Sequence, residues 1–483
     1  MRIGVCGFLE HKWQSVERTR KFYEAALQRE FEIVPLDHLA EAWPEIDAVL
    51  DFTGAQCWAL ERHPGVPMFF ALHGGVVLDQ PFLRENLKKL TTSDGLIVNC
   101  TSDIAILDEM FLGERPIISH LPLPVRSGNF TPLNKSFCRA ELEIQGADYI
   151  VGFVGRFLPQ KNLHQFLRML AKLRATMPGV NIVGLAVGKF WVDYPVLNYS
   201  NAHYEQYIAD TIQQLGLGDS LIYFPNLNDA ELQLCYGAMD LLFHPTNSID
   251  ENFGYTPIEA MACGTAVVGA SYGGLKDTLE CRSGAPFATW VTESGIRMDL
   301  VKAYHSLREL LIDHDAREKL NHAARKRIQE FYSFDRCADA LCDPIKAAIR
   351  QTKNVRPRPL QLARPPAPQL SGNWLPQIAN GWEQYADVAA RYVSSSPPTV
   401  SSRSLLCLAA PLRQLDEGRY MLDDPAWPAV FPLMPEEHAA LSRCMNEVPA
   451  SEICSFGISL DRLQEWVAAG LLIACNHLVN GKR

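Results

Sequence analysis

Tyr149-Ile150-Val151-Gly152-Phe153-Val154-Gly155-Arg156-Phe157-Leu158-Pro159-Gln160-Lys161-Asn162 opens with an apolar, β-branched run, stops at a glycine and turns through a proline. The pattern predicts a strand, a short loop and a helix capped by Asn162, which leaves two cations, Arg156 and Lys161, near one strand end. Downstream, Asn181–Val187, Ser220–Phe224, Leu241–His244 and Thr265–Ala270 repeat the short apolar run, each separated by helical text. Strands alternating with helices make βαβ units and a parallel sheet, so residues 149–330 read as one α/β domain.

Upstream the same alternation holds. The opening Arg2–Phe8, then Ile46–Phe52, Val66–Leu72 and Gly95–Cys100, place a first α/β domain over residues 1–130. Leu121–Pro124 and 127–135 carry the loop chemistry of a connection. Ligands of such domains lie at strand carboxyl ends, and two domains facing each other are expected to leave a cleft for small molecules. Beyond them, Met298–Tyr332 reads as helices and Phe334–Gln351 as an amphipathic closing helix (331–351). The proline-dense stretch from Arg356 to Pro398, with RPRP, RPPAP and SSSPP, reads as a linker or surface strap within 352–403. Apolar periodicity returns in a small C-terminal domain over 404–480. The expected fold is therefore α/β, with two Rossmann-like domains and a small, mainly helical appendage.

Composition bounds the function. The 483 residues are 47% hydrophobic and 21% charged, the balance of a folded chain of about three domains. A formal net charge of -10 argues against broad nucleic-acid binding, which needs a cationic surface to release counterions. No run of 18 uncharged apolar residues predicts a membrane span, and the N-terminal apolar run is too short for a signal peptide, so a cytoplasmic location is expected. The 13 cysteines form no CxxC pair; Cys235, Cys263 and Cys407 sit in apolar segments as core thiols.

A second motif, Glu251-Asn252-Phe253-Gly254-Tyr255-Thr256-Pro257-Ile258-Glu259-Ala260-Met261-Ala262-Cys263-Gly264, is denser in chemistry. Locally, Thr256 reads as an N-cap, Pro257 as the first helical residue and Glu259 as the capping-box partner, with Gly264 closing the helix. The loop before the helix would aim backbone N–H groups and a positive dipole end at an anion. On spacing alone, Glu259 as a cap and Glu251 as a solvated charge explain the motif equally well.

The segment resembles the E-x7-E signature of retaining GT-B glycosyltransferases of family four, with Ala266 where proline is commoner. The resemblance implies that Glu251 faces the donor sugar together with the Asn252, Phe253 and Gly254 backbone, that Glu259 bonds the nucleotide ribose, and that Thr256 lines the donor site. Gly152–Asn162 is similar to the family's strand and cationic loop, which assigns the leaving diphosphate to Arg156 and Lys161. Phe224–Leu232, Ala238–Thr246 and Gly273-Gly274 fall in family order as well. In the first domain, Phe70–Gly74 resembles the strand-end segment whose histidine, here His73, touches the donor sugar; the Gly7-Phe8 loop lacks the family's usual Gly-Gly.

The resemblance implies a nucleotide-sugar donor, a UDP-sugar first, and a sugar transferred with retention. The acceptor attacks from the face the diphosphate leaves, with no enzyme nucleophile. Two cations can replace a metal ion as charge stabiliser, so neither a metal nor a cofactor is expected. Asp313-His314-Asp315 lies in helical text after the donor motifs. The tail, with a hairpin-like Leu412–Leu422 and helical text at Pro435–Met445, Ala450–Phe456 and Leu460–Ile473, resembles a winged-helix module of the type that binds leader peptides. That likeness admits a peptide or protein acceptor; a helical add-on packed on the catalytic core is the alternative. A non-catalytic nucleotide-sugar sensor is the rival function.

Overall fold

The computed structural model describes the chain except residues 11–13, 37–44, 53–64, 80–82, 84–85, 127, 192, 195–198, 201–202, 249–250, 281, 354–355, 364–381 and 477–483. The RPPAP run and position 127 of the expected connection lie outside the described residues. Two compact units emerge, one of Met1–Gly128, Ile249–Ile258 and Lys326–Leu370, the other of Asn129–Ser248, Glu259–Arg325 and Ser371–Arg483.

The first unit is built on a parallel six-stranded sheet. Its spatial order is Glu32–Pro35, Arg2–Cys6, Ala48–Asp51, Met68–Ala71, Gly95–Val98 and Ile117–His120. The three strands from Ala48 to Val98 are buried at every position, which is why they read as unbroken apolar runs rather than alternating ones. Gly95 is forced by packing: a Cβ there would stand 2.2 Å from the Phe69 ring. Two strands were not legible in the sequence, Glu32–Pro35, which lies at the sheet edge and is half exposed, and Ile117–His120. Helix Gln14–Leu27 packs on the closing helix, Phe334–Thr352, through an edge-to-face contact of Phe22 with Phe334 at 5.8 Å. The residues after that helix do form a strap. Arg358 and Gln361 accept from the amides of Thr92 and Leu112, and Ala363 donates to Met110.

In the second unit the parallel sheet runs Leu221–Phe224, Ile182–Val187, Tyr149–Val154, Leu241–His244, Ala266–Ala270 and Ala285–Phe287. Numbered along the chain this is 3-2-1-4-5-6, the doubly wound order, and it reverses between Tyr149–Val154 and Leu241–His244. Helices Leu163–Thr176 and Leu300–Ile312 supply Phe166, Leu170, Leu307 and Leu311 to the core beneath it. An antiparallel hairpin, Thr289–Thr292 with Gly295–Met298, follows the sheet.

Helix Trp382–Tyr392 interrupts what the sequence reading treats as linker, because the eleven residues WEQYADVAARY contain no proline. The tail holds strands as well as the expected helices. Leu412–Asp416, Arg419–Leu422 and Ala429–Pro432 form one antiparallel sheet, while Val448–Pro449, Leu405–Leu408 and Leu472–Cys475 form another. Helices Pro435–Leu441, Ala450–Cys454 and Leu460–Ala469 complete it. Its core includes Leu406, Leu441, Leu463, Trp466 and Ile473, and joins Trp290 of the preceding hairpin. The tail is thus packed on the second unit's own fold.

Candidate active site

In the second unit, strand Tyr149–Val154 stops because Gly155 and Gly188 meet at the sheet's carboxyl edge. A Cβ on Gly188 would stand 1.8 Å from the Gly155 carbonyl oxygen, so neighbouring strand ends can close here only with glycine. Arg156 follows at once, its guanidinium 5.7 Å from the Trp191 ring centroid, a cation–π distance that orients the charge. Pro159–Lys161 is a single tight turn, and Lys161 is buried to 8% exposure. Asn162 then takes a left-handed conformation (φ 63) and precedes helix Leu163–Thr176.

Asn162 occupies the expected cap position, but its side chain does not cap. Its Nδ2 donates instead to the carbonyls of Gln160 (3.1 Å) and Pro245 (2.8 Å), tying the cationic loop to the loop after strand Leu241–His244. These are the two strands between which the order reverses. Arg156 and Lys161 therefore stand at the topological switch point, the place where doubly wound sheets bind their ligands.

The acid motif also differs locally from its sequence reading. Its helix runs from Tyr255 to Ala262, so Thr256 and Pro257 lie inside the first turn and Thr256 is not the cap. Pro257 still costs no hydrogen bond there, since first-turn amides have no helical partner. Glu259 makes no capping box. Buried to 4% exposure, it accepts from the Tyr236 hydroxyl at 3.1 Å. Gly264 (φ 82) ends the helix as expected, and strand Ala266–Ala270 follows.

Glu251–Ile258 belong to the first unit. Glu251, Asn252 and Phe253 are buried, and Gly254 has φ 87. Asn252 Nδ2 donates to the His73 carbonyl at 2.6 Å, which brings two of the expected donor-site residues together. The His73 ring packs 4.2 Å from Phe52 and 5.6 Å from Tyr23, centroid to centroid. Below it, Val76 N donates to Asp103 and Gly74 N to Asp79. Burial, joined by the Asp103 charge and opposed by the Gly74 N–H, pushes Asp79 up to about 7. Phe253 packs edge-on against Tyr255 and Tyr332.

Residues 134–327 match the family described as Glycosyl transferases group 1. That segment is similar to a group 1 glycosyl transferase domain. It contains Arg156, Lys161, Glu251 and Glu259 and ends before the tail. A D-inositol 3-phosphate glycosyltransferase of Segniliparus rotundus is 30% identical over 315 residues, which cover 62% of this chain and 65% of that one. The enzyme of the same name from Stackebrandtia nassauensis is 27% identical over 46% of this chain and 52% of its own. The chain thus spans half to two thirds of the length of these relatives. Among solved structures, sucrose-phosphate synthase of Thermosynechococcus elongatus has a TM-score of 0.56 at 16% identity, covering 72% of this chain and 99% of its own. HepE of Anabaena, solved with UDP and glucose, has 0.51 at 15%, covering 72% and 100%. At such identities the likeness is one of fold, the pair of Rossmann-like domains of the GT-B class. No helix among the described residues is long and apolar enough to cross a membrane.

One group around the group 1 domain had no sequence signal. Asp424 belongs to no motif, yet it is buried and lies 3.2 Å from His164 Nε2. Arg168 and the Tyr207 hydroxyl donate to the Asp423 carbonyl at 2.9 and 3.1 Å. Arg297, on the hairpin, donates through Nε to the Gly470 carbonyl at 2.7 Å. Burial pulls Arg297 down to about 10, with Asp424 opposing. Burial raises Asp424, but the His164 hydrogen bond and the charges of His164, Arg297 and Arg168 outweigh it and hold the carboxyl below its ordinary range. Burial lowers His164, opposed by the hydrogen bond and charge of Asp424.

Proposed function

We propose that the chain is a retaining glycosyltransferase that moves a sugar from a nucleoside diphosphate donor, a UDP-sugar first, to an acceptor hydroxyl. The observation that carries this is the placement of Arg156 and Lys161 on one pinned loop at the switch point of a group 1 domain. A diphosphate leaving from there would meet two fixed cations, the electrostatic stabilisation that this bond cleavage requires. Glu259, held by Tyr236, would take the ribose hydroxyls, and Glu251 with the Asn252–Gly254 backbone would face the sugar. The bond from the anomeric carbon to the β-phosphate oxygen breaks and a bond to the acceptor oxygen forms on the same face. The acceptor proton passes to the departing phosphate oxygen. Arg156 and Lys161 would supply the charge without a metal ion, so EDTA should leave turnover intact.

Two acceptor classes have support. The curated relatives are named for D-inositol 3-phosphate, which favours a small phosphorylated polyol. In the tail, strand Ala429–Pro432 pairs, among the described residues, with Arg419–Leu422 only and is a sheet edge, with Val430 and Met434 exposed; this favours a peptide bound by strand addition.

A donor screen tests the proposal. Incubation with UDP-, GDP-, ADP- and dTDP-sugars should release nucleotide from one donor, faster in the presence of inositol 3-phosphate or of a peptide acceptor. Binding without release under any acceptor would favour a nucleotide-sugar sensor, and no binding at all would sink the reading.

A further inference from the structure

The turn that carries Lys161 is braced from behind by a residue of the tail. Asp424 Oδ1 accepts from the amides of Ala426 and Trp427 at 2.9 and 3.3 Å, closing a turn that fixes the Trp427 backbone. Arg297 adds a bond from its terminal nitrogen to the Trp427 carbonyl at 3.4 Å. The indole is fully buried and lies against Gly295, where a Cβ would stand 2.5 Å from the ring; only glycine lets it approach the hairpin so closely. At its polar end the indole meets Asn247. With the Asn247 amide turned so that its oxygen faces the ring, Trp427 Nε1 donates to it at 2.9 Å and the amide nitrogen donates to the Gln160 carbonyl at 3.2 Å. The Asn247 backbone N–H donates to that same carbonyl at 3.1 Å in either orientation. Gln160 is the residue before Lys161, in the middle of the Pro159–Lys161 turn.

We propose that Trp427 is a positioning residue of the donor site: through Asn247 it holds the Gln160 carbonyl and so fixes the turn from which Lys161 meets the donor diphosphate. The tail thereby takes part in donor binding without touching the donor. This assignment rests on the reading of Lys161 as a diphosphate ligand. The turn is otherwise held by local bonds, by the Asn247 backbone N–H and by the Asn162 bond to Pro245, and a buried amide side chain such as Asn247 has a single orientation only while its partners are present. Removing the indole N–H leaves the Asn247 oxygen without its donor and lets the amide turn.

Trp427→Phe in the full chain keeps an aromatic ring at the site and removes the donor together with part of the indole, whereas Asn247→Leu leaves the indole whole. The first readout is hydrogen–deuterium exchange of the segment around Phe157–Leu163, which needs no nucleotide. The second is UDP affinity by calorimetry. We expect faster exchange in that segment and UDP binding weakened roughly three- to tenfold, the effect of one hydrogen bond. Asn247→Leu should do the same, and the double variant should be no worse than Asn247→Leu alone, because both changes break one path. Unchanged exchange in Trp427→Phe, or losses in the two variants that simply add, would overturn the proposal. If exchange rises while the parent protein binds none of UDP, GDP, ADP or dTDP, the donor-site reading fails and takes the donor role of Trp427 with it; the exchange data separate that failure from failure of the brace.

Discussion

His164 Nε2 lies 3.2 Å from Asp424 Oδ1, an imidazole at the start of helix Leu163–Thr176 facing a carboxylate from the tail, both of them buried. The pair joins two parts of the chain about 260 residues apart in sequence, and its protonation ties the docking of the tail to pH.

For His164 the folded state disfavours the proton that the unfolded chain takes up near 6.5, so the unfolded state binds more protons below that pH. Stability is full above 6.5 and falls as the pH drops beneath it. Asp424, held below its ordinary range, works in the same direction but only at more acid pH, below 3.8. The thermal midpoint should fall between pH 7.5 and 5, and limited proteolysis should release the tail first. His164→Gln should flatten that slope; an equal slope in the variant would remove His164 as its cause.

Lys161→Ala and Arg156→Ala each remove one of the cations assigned to the leaving diphosphate. Nucleotide release should slow by about a hundredfold or more in each, with thermal stability nearly that of the parent for the part-exposed Arg156. A release assay with the donor selected by screening decides it. Retained turnover in both would move the diphosphate elsewhere.

Asn252→Ala deletes the donor to the His73 carbonyl, leaving a backbone acceptor in a largely buried setting unmet. A loss of about 1–3 kcal/mol in urea unfolding is expected, together with weaker donor affinity. Should stability drop while affinity stays unchanged, the bond would be architectural and His73 would have no part in holding the sugar.

Gly295→Ala drives a Cβ into the Trp427 ring at a φ of +128, where side chains are strained in any case. Destabilisation of about 1–3 kcal/mol is expected. Gly218→Ala is the control: its Cβ would meet open space at an ordinary φ, and it should be neutral or raise stability by a few tenths to about 1 kcal/mol. Equal midpoints for the two variants would show that the indole does not need the approach that Gly295 permits.

How much of this was legible depended on whether a signal is local. Strands Tyr149–Val154, Leu241–His244 and Ala266–Ala270 could be read because strands buried on both faces must be continuously apolar. The edge strand Glu32–Pro35 could not, since its exposed positions look like loop text. Glycine at 155 and 264 punctuated the chain as only a left-handed or close-approach position requires. By contrast, the cap assigned to Thr256 and the side-chain cap assigned to Asn162 were overridden by distant partners. The helix starts two residues earlier, at Tyr255, whose hydroxyl meets Thr19 at 2.9 Å, and the Asn162 amide reaches Pro245 instead.

The sequence by itself determined the alternation that builds two parallel sheets and the residue types that could serve a nucleotide-sugar donor, because periodicity and glycine placement are properties of neighbouring residues. Only the tertiary structure decided the strand order that puts Arg156 and Lys161 at a switch point, the bonds from Glu259 to Tyr236 and from Asn252 to His73, and the burial of Asp424 and Trp427 behind the cationic turn. Each of these depends on partners tens to hundreds of residues away, and a buried carboxylate or indole is written with the same letters as an exposed one.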